Sequence, residues 1–273
     1  MDGIQLGPIV ISAPRFYALL GLVVLVLLAE LLARRNRTDA AWAWNAAFAV
    51  IIGARLGFVV ENLGFYLADP IGIIRIWQGG FSPWWGVAAG ALTAVWASYR
   101  TRINPIAPAV AALAVWLVVP ATVARLDDRV ITLPEGAHQR LTGQALEFEA
   151  QPGAPVVLNV WATWCGPCQR ELPHLAQAAL DWPDVEIYYL NQGESAERIN
   201  SYLDDHPDLE RDNVLLDPGQ RTGRSMGSFG LPTTFFFAAD GSHVHTQIGE
   251  ISGPALNRQI ERIATPGLRS DAP

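Results

Sequence analysis

The chain is 273 residues long, 51% of them hydrophobic, with 19 basic side chains against 26 acidic ones and a formal net charge of −7. Two domains are the expectation at that length, and the charge is split between them: residues 1–125 carry nine arginines and five acids, net +4, and residues 126–273 carry ten arginines and 21 acids, net −11. An acidic second half argues against a nucleic-acid partner, the chain has no lysine, and its two cysteines do not by themselves fix a redox compartment.

Residues 16–33 are apolar except for Glu30 and end in Arg34, Arg35, Asn36 and Arg37. That run is long enough for a spanning helix. A cleaved signal peptide carries its positive charge ahead of the apolar core, and here it follows, so the run is expected to be a retained span with its N-terminus outside. Further spans are expected at 40–60, 81–98 and 106–124, separated by a loop of mixed character at 61–80 and by Tyr99–Arg100–Thr101–Arg102. Trp42, Trp44, Trp77, Trp84, Trp85 and Trp116 fall mostly near the span ends, as in an interfacial belt. Loop one holds Arg34, Arg35 and Arg37, and loop three holds Arg100 and Arg102; loop two sets only Arg75 against Glu61 and Asp69. By the positive-inside rule loops one and three are cytoplasmic. Four spans then place both termini outside, whereas three would leave the second half in the cytoplasm. Within the second span Arg55 is costly; it is either a functional charge or a structural one paired with Glu61 or snorkelling to a headgroup. Glu30, near a span end, is expected to be solvated or paired.

Arg15–Phe16–Tyr17, GARLGFVVEN at 53–62, FYLADP at 65–70 and RIWQGGFSPWWG at 75–86 resemble the N-terminal half of the prolipoprotein diacylglyceryl transferase family, over residues 9–125. That family moves a diacylglyceryl group from phosphatidylglycerol to a lipoprotein cysteine. Two departures set this chain apart. The position of the family's essential histidine is Trp84, and the later Gly-Arg-x-Gly-Asn-Phe signature and the spans beyond it are absent. Acyl transfer is therefore not expected; the half reads as an anchor or docking module in the lipid bilayer, or as one that keeps a lipid- or partner-binding groove.

A polar stretch rich in proline and glycine follows, read as a linker at 126–142 and then an entry hairpin. Val156, Val157, Leu158 and Val160 read as a buried strand. It runs into Trp161–Ala162–Thr163–Trp164, then Cys165–Gly166–Pro167–Cys168, then a segment with helical spacing at Leu172, Leu175, Ala176 and Ala179. Cys165 thus falls at a strand-to-helix turn. There the free N–H groups and the helix dipole favour a thiolate, the species that attacks disulfides. Cys168 is placed to resolve the mixed disulfide, and Pro167 is tolerated in a first turn, where its missing N–H needs no partner. As a structural staple the pair would close too short a loop to gain much. A zinc site would need about two further ligands, and His243 and His245, one residue apart, do not have the usual spacing; zinc and unrelated core cysteines remain the weaker alternatives. No metal or cofactor is expected.

Downstream, strands are expected at 185–190 and 214–216, a helix capped by Ser195 and a short one at 220–226. A hairpin at 233–238 and 243–248 is expected across Ala239–Asp240–Gly241–Ser242, then a last helix from Ser252 to about 263. A flexible tail is expected at 266–273.

The run NVWATWCGPCQRELPHL at 159–175 is similar to TlpA-like, membrane-tethered members of the thioredoxin superfamily, over residues 143–263. The resemblance implies an α-helical membrane domain (1–125) followed by an α/β thioredoxin-like domain (143–265). Cys165 and Cys168 would be catalytic, with Trp164 shielding the site and Gly166 and Pro167 setting the spacing and potential. Leu231–Pro232 would form the cis-proline segment that presents a client strand. Many thioredoxins place a buried aspartate in the central strand; here that position is Asn159, which does not titrate. Glu194, in an Asn-x-Gly-Glu-Ser turn, matches an acid that lies near the cysteines in the cytochrome-maturation group and is the candidate for tuning them. Glu171 is expected on a solvated helix face, and His174 to face away from the thiols. The implied activity is reduction of disulfides in exported proteins by a multi-pass protein of the bacterial inner membrane, its redox domain on the periplasmic side. With no cysteine in the first half, a separate membrane thiol donor would have to recharge it. The rivals are an oxidase that donates disulfides and a lipid- or partner-binding module with a redox-sensing domain.

Overall fold

A computed structural model describes residues 3–6, 9–36, 39–101, 104–126, 130–228 and 230–265. Arg37 and Arg102 of the charge pattern, and the tail at 266–273, lie outside the described residues. Two compact units result, divided in the main between 128 and 129.

The first unit opens with an antiparallel hairpin of β1 (Gly3–Leu6) and β2 (Ile9–Ser12). Next come α1 (Ala13–Asn36) and α2 (Ala41–Glu61), whose first turn is held by Asp39 accepting from the Ala41 N–H at 2.9 Å. Asn62 ends α2, and its side chain donates back to the Phe58 carbonyl at 2.8 Å. The stretch read as a loop contains a short helix, α3 (Leu63–Ala68), and 3-10 turns at Pro70–Ile74 and Ile76–Gln78. After it come α4 (Pro83–Thr101) and α5 (Ile106–Leu126).

Among the described residues three helical segments are long and apolar enough to cross a membrane: Arg15–Asn36, Ala41–Glu61 and Ile106–Val123. The helix α4 has the length but not the composition, because its tryptophans, glycines and polar last turn dilute its apolar residues. It nonetheless packs closely on α2: Gly53 and Gly57 lie against Ala89 and Trp85, and Gly86 and Gly90 against Ala54 and Val50. Small residues four apart on both helices let the backbones approach, as in membrane helix pairs generally.

Arg55 is buried here, and its role is visible. Its guanidinium donates to the carbonyls of Gly72 (2.5 Å), Gly80 (2.8 Å) and Ile73 (3.0 Å), and it lies over the Tyr66 and Phe81 rings. It organises the connection between α3 and α4. Glu61 accepts from Ser82 and from the Trp85 indole, and Glu30 from the Trp44 indole.

The second unit is built on a five-stranded sheet. A small hairpin of β3 (Ala137–Gln139) and β4 (Ala145–Glu147) precedes it. The sheet elements follow in order: β5 (Val156–Trp161), α6 (Gly166–Asp181), β6 (Glu186–Gln192), α7 (Ala196–Asp204), β7 (Val214–Asp217), α8 (Arg221–Ser225), β8 (Thr233–Phe237), β9 (His243–Ile248) and α9 (Gly253–Ala264). The spatial order is β7-β6-β5-β8-β9, with β5, β6 and β7 parallel and β8 and β9 antiparallel additions.

Central β5 is buried on both faces, which is why it reads as a continuous apolar run. Its alternate residues serve two cores. Val157 and Trp161 pack with α6, α7 and α9 through Leu172, Leu175, Ile199, Leu256 and Ile260. Val156, Leu158 and Val160 pack on the other face with Phe235, Phe237 and Met226. Ser195 caps α7, accepting from the Arg198 N–H at 3.4 Å. Ser252 occupies the N-cap position of α9, but its hydroxyl makes no capping bond.

Candidate functional site

β5 ends at Trp161, and the chain turns through Ala162, Thr163 and Trp164 into α6. The cysteines therefore sit outside the carboxyl ends of the parallel strands, the place where open α/β sheets bind ligands. Cys165 is the N-cap of α6, with extended backbone, and its Sγ accepts from the Cys168 N–H at 3.2 Å. The two sulfurs are joined in a disulfide, the Cα atoms 5.2 Å apart. Gly166 and Pro167 form the first helical positions. Cys165 is 4% exposed and Cys168 fully buried, whereas Trp164 stands out at 66%. The Leu231–Pro232 peptide is cis, as the resemblance implies; Pro232 is buried and Leu231 packs on the cluster that contains both cysteines. Register continues this arrangement, since Thr233 pairs with Val160 at the end of β5.

Glu194 reaches this turn from the connection between β6 and α7. Its carboxylate accepts from the Thr163 N–H at 2.7 Å, the Thr163 hydroxyl at 2.5 Å and the Asn191 amide at 2.8 Å, with Arg198 3.9 Å away. Its contacts thus go to the chain two residues ahead of Cys165.

The Glu171 expectation is corrected. It is not on a solvated face but fully buried. Oε1 accepts from the Asn159 amide at 2.7 Å and Oε2 from the Ile251 N–H at 3.0 Å; Asn159 also donates to the Thr234 hydroxyl at 2.9 Å. Burial pushes the Glu171 carboxyl up to about 8, partly opposed by the Ile251 and Asn159 hydrogen bonds; the nearby Glu250 charge adds to the rise and Arg170 reduces it. The missed signal is spacing: Glu171 is three residues past Cys168 and four before Leu175, on the inward stripe of an amphipathic helix.

An α-helical unit with apolar spans, followed by a thioredoxin-like α/β unit with a cysteine pair at a helix start, is the class that fold and site define. Comparison with known proteins agrees in both halves. Residues 3–127 match the model of the prolipoprotein diacylglyceryl transferase family, and residues 131–245 that of the AhpC/TSA family. The thiol-disulfide oxidoreductase ResA of Bacillus thuringiensis is 30% identical over 125 residues, covering 45% of this chain and 71% of that protein. The thiol:disulfide interchange protein DsbE of Vibrio cholerae is 30% identical over 125 residues, 44% of this chain and 65% of the other. The solved structure of MTB dsbF, in its mixed oxidised and reduced forms, covers 50% of this chain and 99% of its own at 23% identity and a TM-score of 0.45. The chain belongs, through its second half, to the ResA family of thiol-disulfide oxidoreductases.

Proposed function

We propose that this protein is a membrane-anchored reductase of disulfides in exported proteins, working on the outer face of the bacterial inner membrane, with apocytochromes among its clients. The observation that carries the reading is Cys165 at the N-cap of α6 with the Cys168 N–H directed at its sulfur, an arrangement that stabilises a thiolate. In the dithiol form Cys165 attacks one client sulfur, and the client's other sulfur leaves as a thiolate and takes a proton. Glu171 is ionised in a fraction of molecules that grows as pH rises toward about 8, and in that form it takes the proton of Cys168, which attacks the Cys165 sulfur. The second client thiolate leaves and takes a proton from solvent while Glu171 releases the one it received, so that the client has gained two electrons and two protons in all. Reduction of the new Cys165–Cys168 disulfide then needs an external dithiol, since the chain has no further cysteine.

Pro232 would present the client backbone by strand addition, Trp164 would cover its flank, and Glu194 would hold the turn before Cys165. The membrane half serves as the anchor, with α4 counted as a fourth span through its close packing on α2, and with Trp84 at the position of the transferase histidine.

The test is the reduction potential of the full chain in detergent, equilibrated against a dithiothreitol series, together with Cys168→Ser. A potential near the thioredoxin value of about −270 mV, with clients held as mixed disulfides on Cys165 of the variant, supports the reductase. A value near the about −120 mV of a strong oxidant reverses the direction to disulfide donation.

A further inference from the structure

The cysteine helix meets the segment after β9 in a two-rung ladder. Arg170 and Glu171 are consecutive on α6; Glu250 and Ile251 are consecutive between β9 and α9. Arg170 Nε donates to both Glu250 oxygens at 3.0 and 3.1 Å, and its Nη2 to Oε2 at 2.6 Å. One residue on, the Ile251 N–H donates to Glu171 at 3.0 Å. One residue back, the Gly249 N–H donates to the Pro232 carbonyl at 2.8 Å. The Glu250 side chain is 2% exposed and that of Arg170 is 44% exposed, so the guanidinium reaches the buried carboxylate from the solvent side. Two carboxyl groups therefore share the space beside the cysteine helix, and the bidentate cation is on Glu250.

We propose that the Arg170–Glu250 ion pair is the positioning device that lets Glu171 take the Cys168 proton: it neutralises the second buried carboxylate while seating the Gly249–Ser252 segment between Pro232 and the cysteine helix. The proposal rests on the reading of Glu171 as proton acceptor given above. The charged groups acting on Glu171 are Glu250, from the segment after β9, and Arg170, from its own helix. β5 and β8 contribute Asn159 and Thr234, which do not titrate. Neither Arg170 nor Glu250 is placed on a reacting sulfur. Their effect passes through the charge state of Glu171, and removing one partner of a buried pair leaves the other charge uncompensated.

The experiment uses the reduced full chain in detergent and 5,5′-dithiobis(2-nitrobenzoate) as the disulfide. The first thionitrobenzoate is released by Cys165 and the second by Cys168, and the rate of the second release is followed against pH. Arg170→Gln leaves Glu250 unneutralised and should move the rising limb of that profile to higher pH by about one unit. Glu250→Gln should move it to lower pH. The double variant, which restores neutrality, should return the limb close to its original position, and Arg170→Lys should keep it there. A merely structural brace predicts instead that the two single variants weaken the fold alike and that the double variant is no better. Limbs that stay put, or move the same way in both single variants, overturn the proposal. A limb that persists in Glu171→Gln overturns it at its premise, because the proton acceptor is then another group; a limb lost in Glu171→Gln but unmoved in the pair variants overturns the pair's role alone. Should Arg170→Gln fail to fold, the opposite displacement in Glu250→Gln and its reversal in the double variant decide the matter.

Discussion

A carboxyl group cut off from solvent and held by one backbone N–H and one side-chain amide ionises reluctantly, and Glu171 is in that position. Its ordinary value is 4.5 and its value in the fold about 8. Between those two pH values the folded state holds a proton that the unfolded chain has released. Stability then falls as pH rises, the contribution being complete below about 4.5 and lost through about 8. With the disulfide intact, so that neither cysteine titrates, the thermal midpoint of the second unit in detergent should decline across that window, and Glu171→Gln should flatten the decline. A slope that Glu171→Gln leaves unchanged would assign it elsewhere. That Glu194 lies close to the cysteine turn could be read from sequence because both motifs are local. Sequence alone misplaces Glu171 because a charged residue on an amphipathic helix ordinarily faces water, and only the sheet behind it, with Asn159 aimed at its carboxyl, shows which face it takes.

Helices α2 and α4 are held by close approach more than by large side chains. A Cβ built on Gly57 would lie 2.1 Å from Cγ of Trp85 and 2.4 Å from its Cβ, and one on Gly53 2.5 Å from the Cβ of Ala89. Because the obstructing Trp85 atoms are next to its backbone, rotation of the indole offers little relief. Gly57→Ala should therefore separate the helices and lower the thermal midpoint of the first unit in detergent, overpacking of this kind costing about 1–3 kcal/mol. Combining it with Trp85→Ala should recover part of the loss, since only the Cβ contact then remains. The long helices were legible from hydropathy within a few residues, as were β5 to β9 and their hairpin turn. The connection at 61–80 was not, because α3 and the two 3-10 turns are too short to show a period, and what shapes them is Arg55 donating to carbonyls about 17 to 25 residues further along the chain. Nothing in local composition announces such a contact.

At the scale of the molecule, the number of spans decides where the redox unit works. The three helices that qualify by composition among the described residues would leave the two ends of the helical unit on opposite sides of a membrane; α4, counted as a fourth on the proposed reading, would put them on the same side. The arginines that precede and follow the apolar runs favour the even number. With only two cysteines in the chain, the reduced protein carries its own topology label. In intact cells with a permeabilised outer membrane, an impermeant maleimide should label Cys165 after mild reduction, and labelling that requires lysis would place the unit in the cytoplasm. Composition made two units and the helical half legible; it could not settle the parity, because α4 lies between a membrane helix and an ordinary one in hydropathy.

The single disulfide at the start of α6 also sets how the protein can be driven. One dithiol stores one pair of electrons, so the molecule cannot hold donor-derived and client-bound electrons at once. It must empty before it fills. Turnover on the proposed reading then alternates between two half-reactions that share one pair of sulfurs, and the plots of reciprocal rate against reciprocal client concentration at several donor levels run parallel. Flux to clients is capped by the scarcer of the two encounters, however fast the sulfur chemistry at Cys165 becomes.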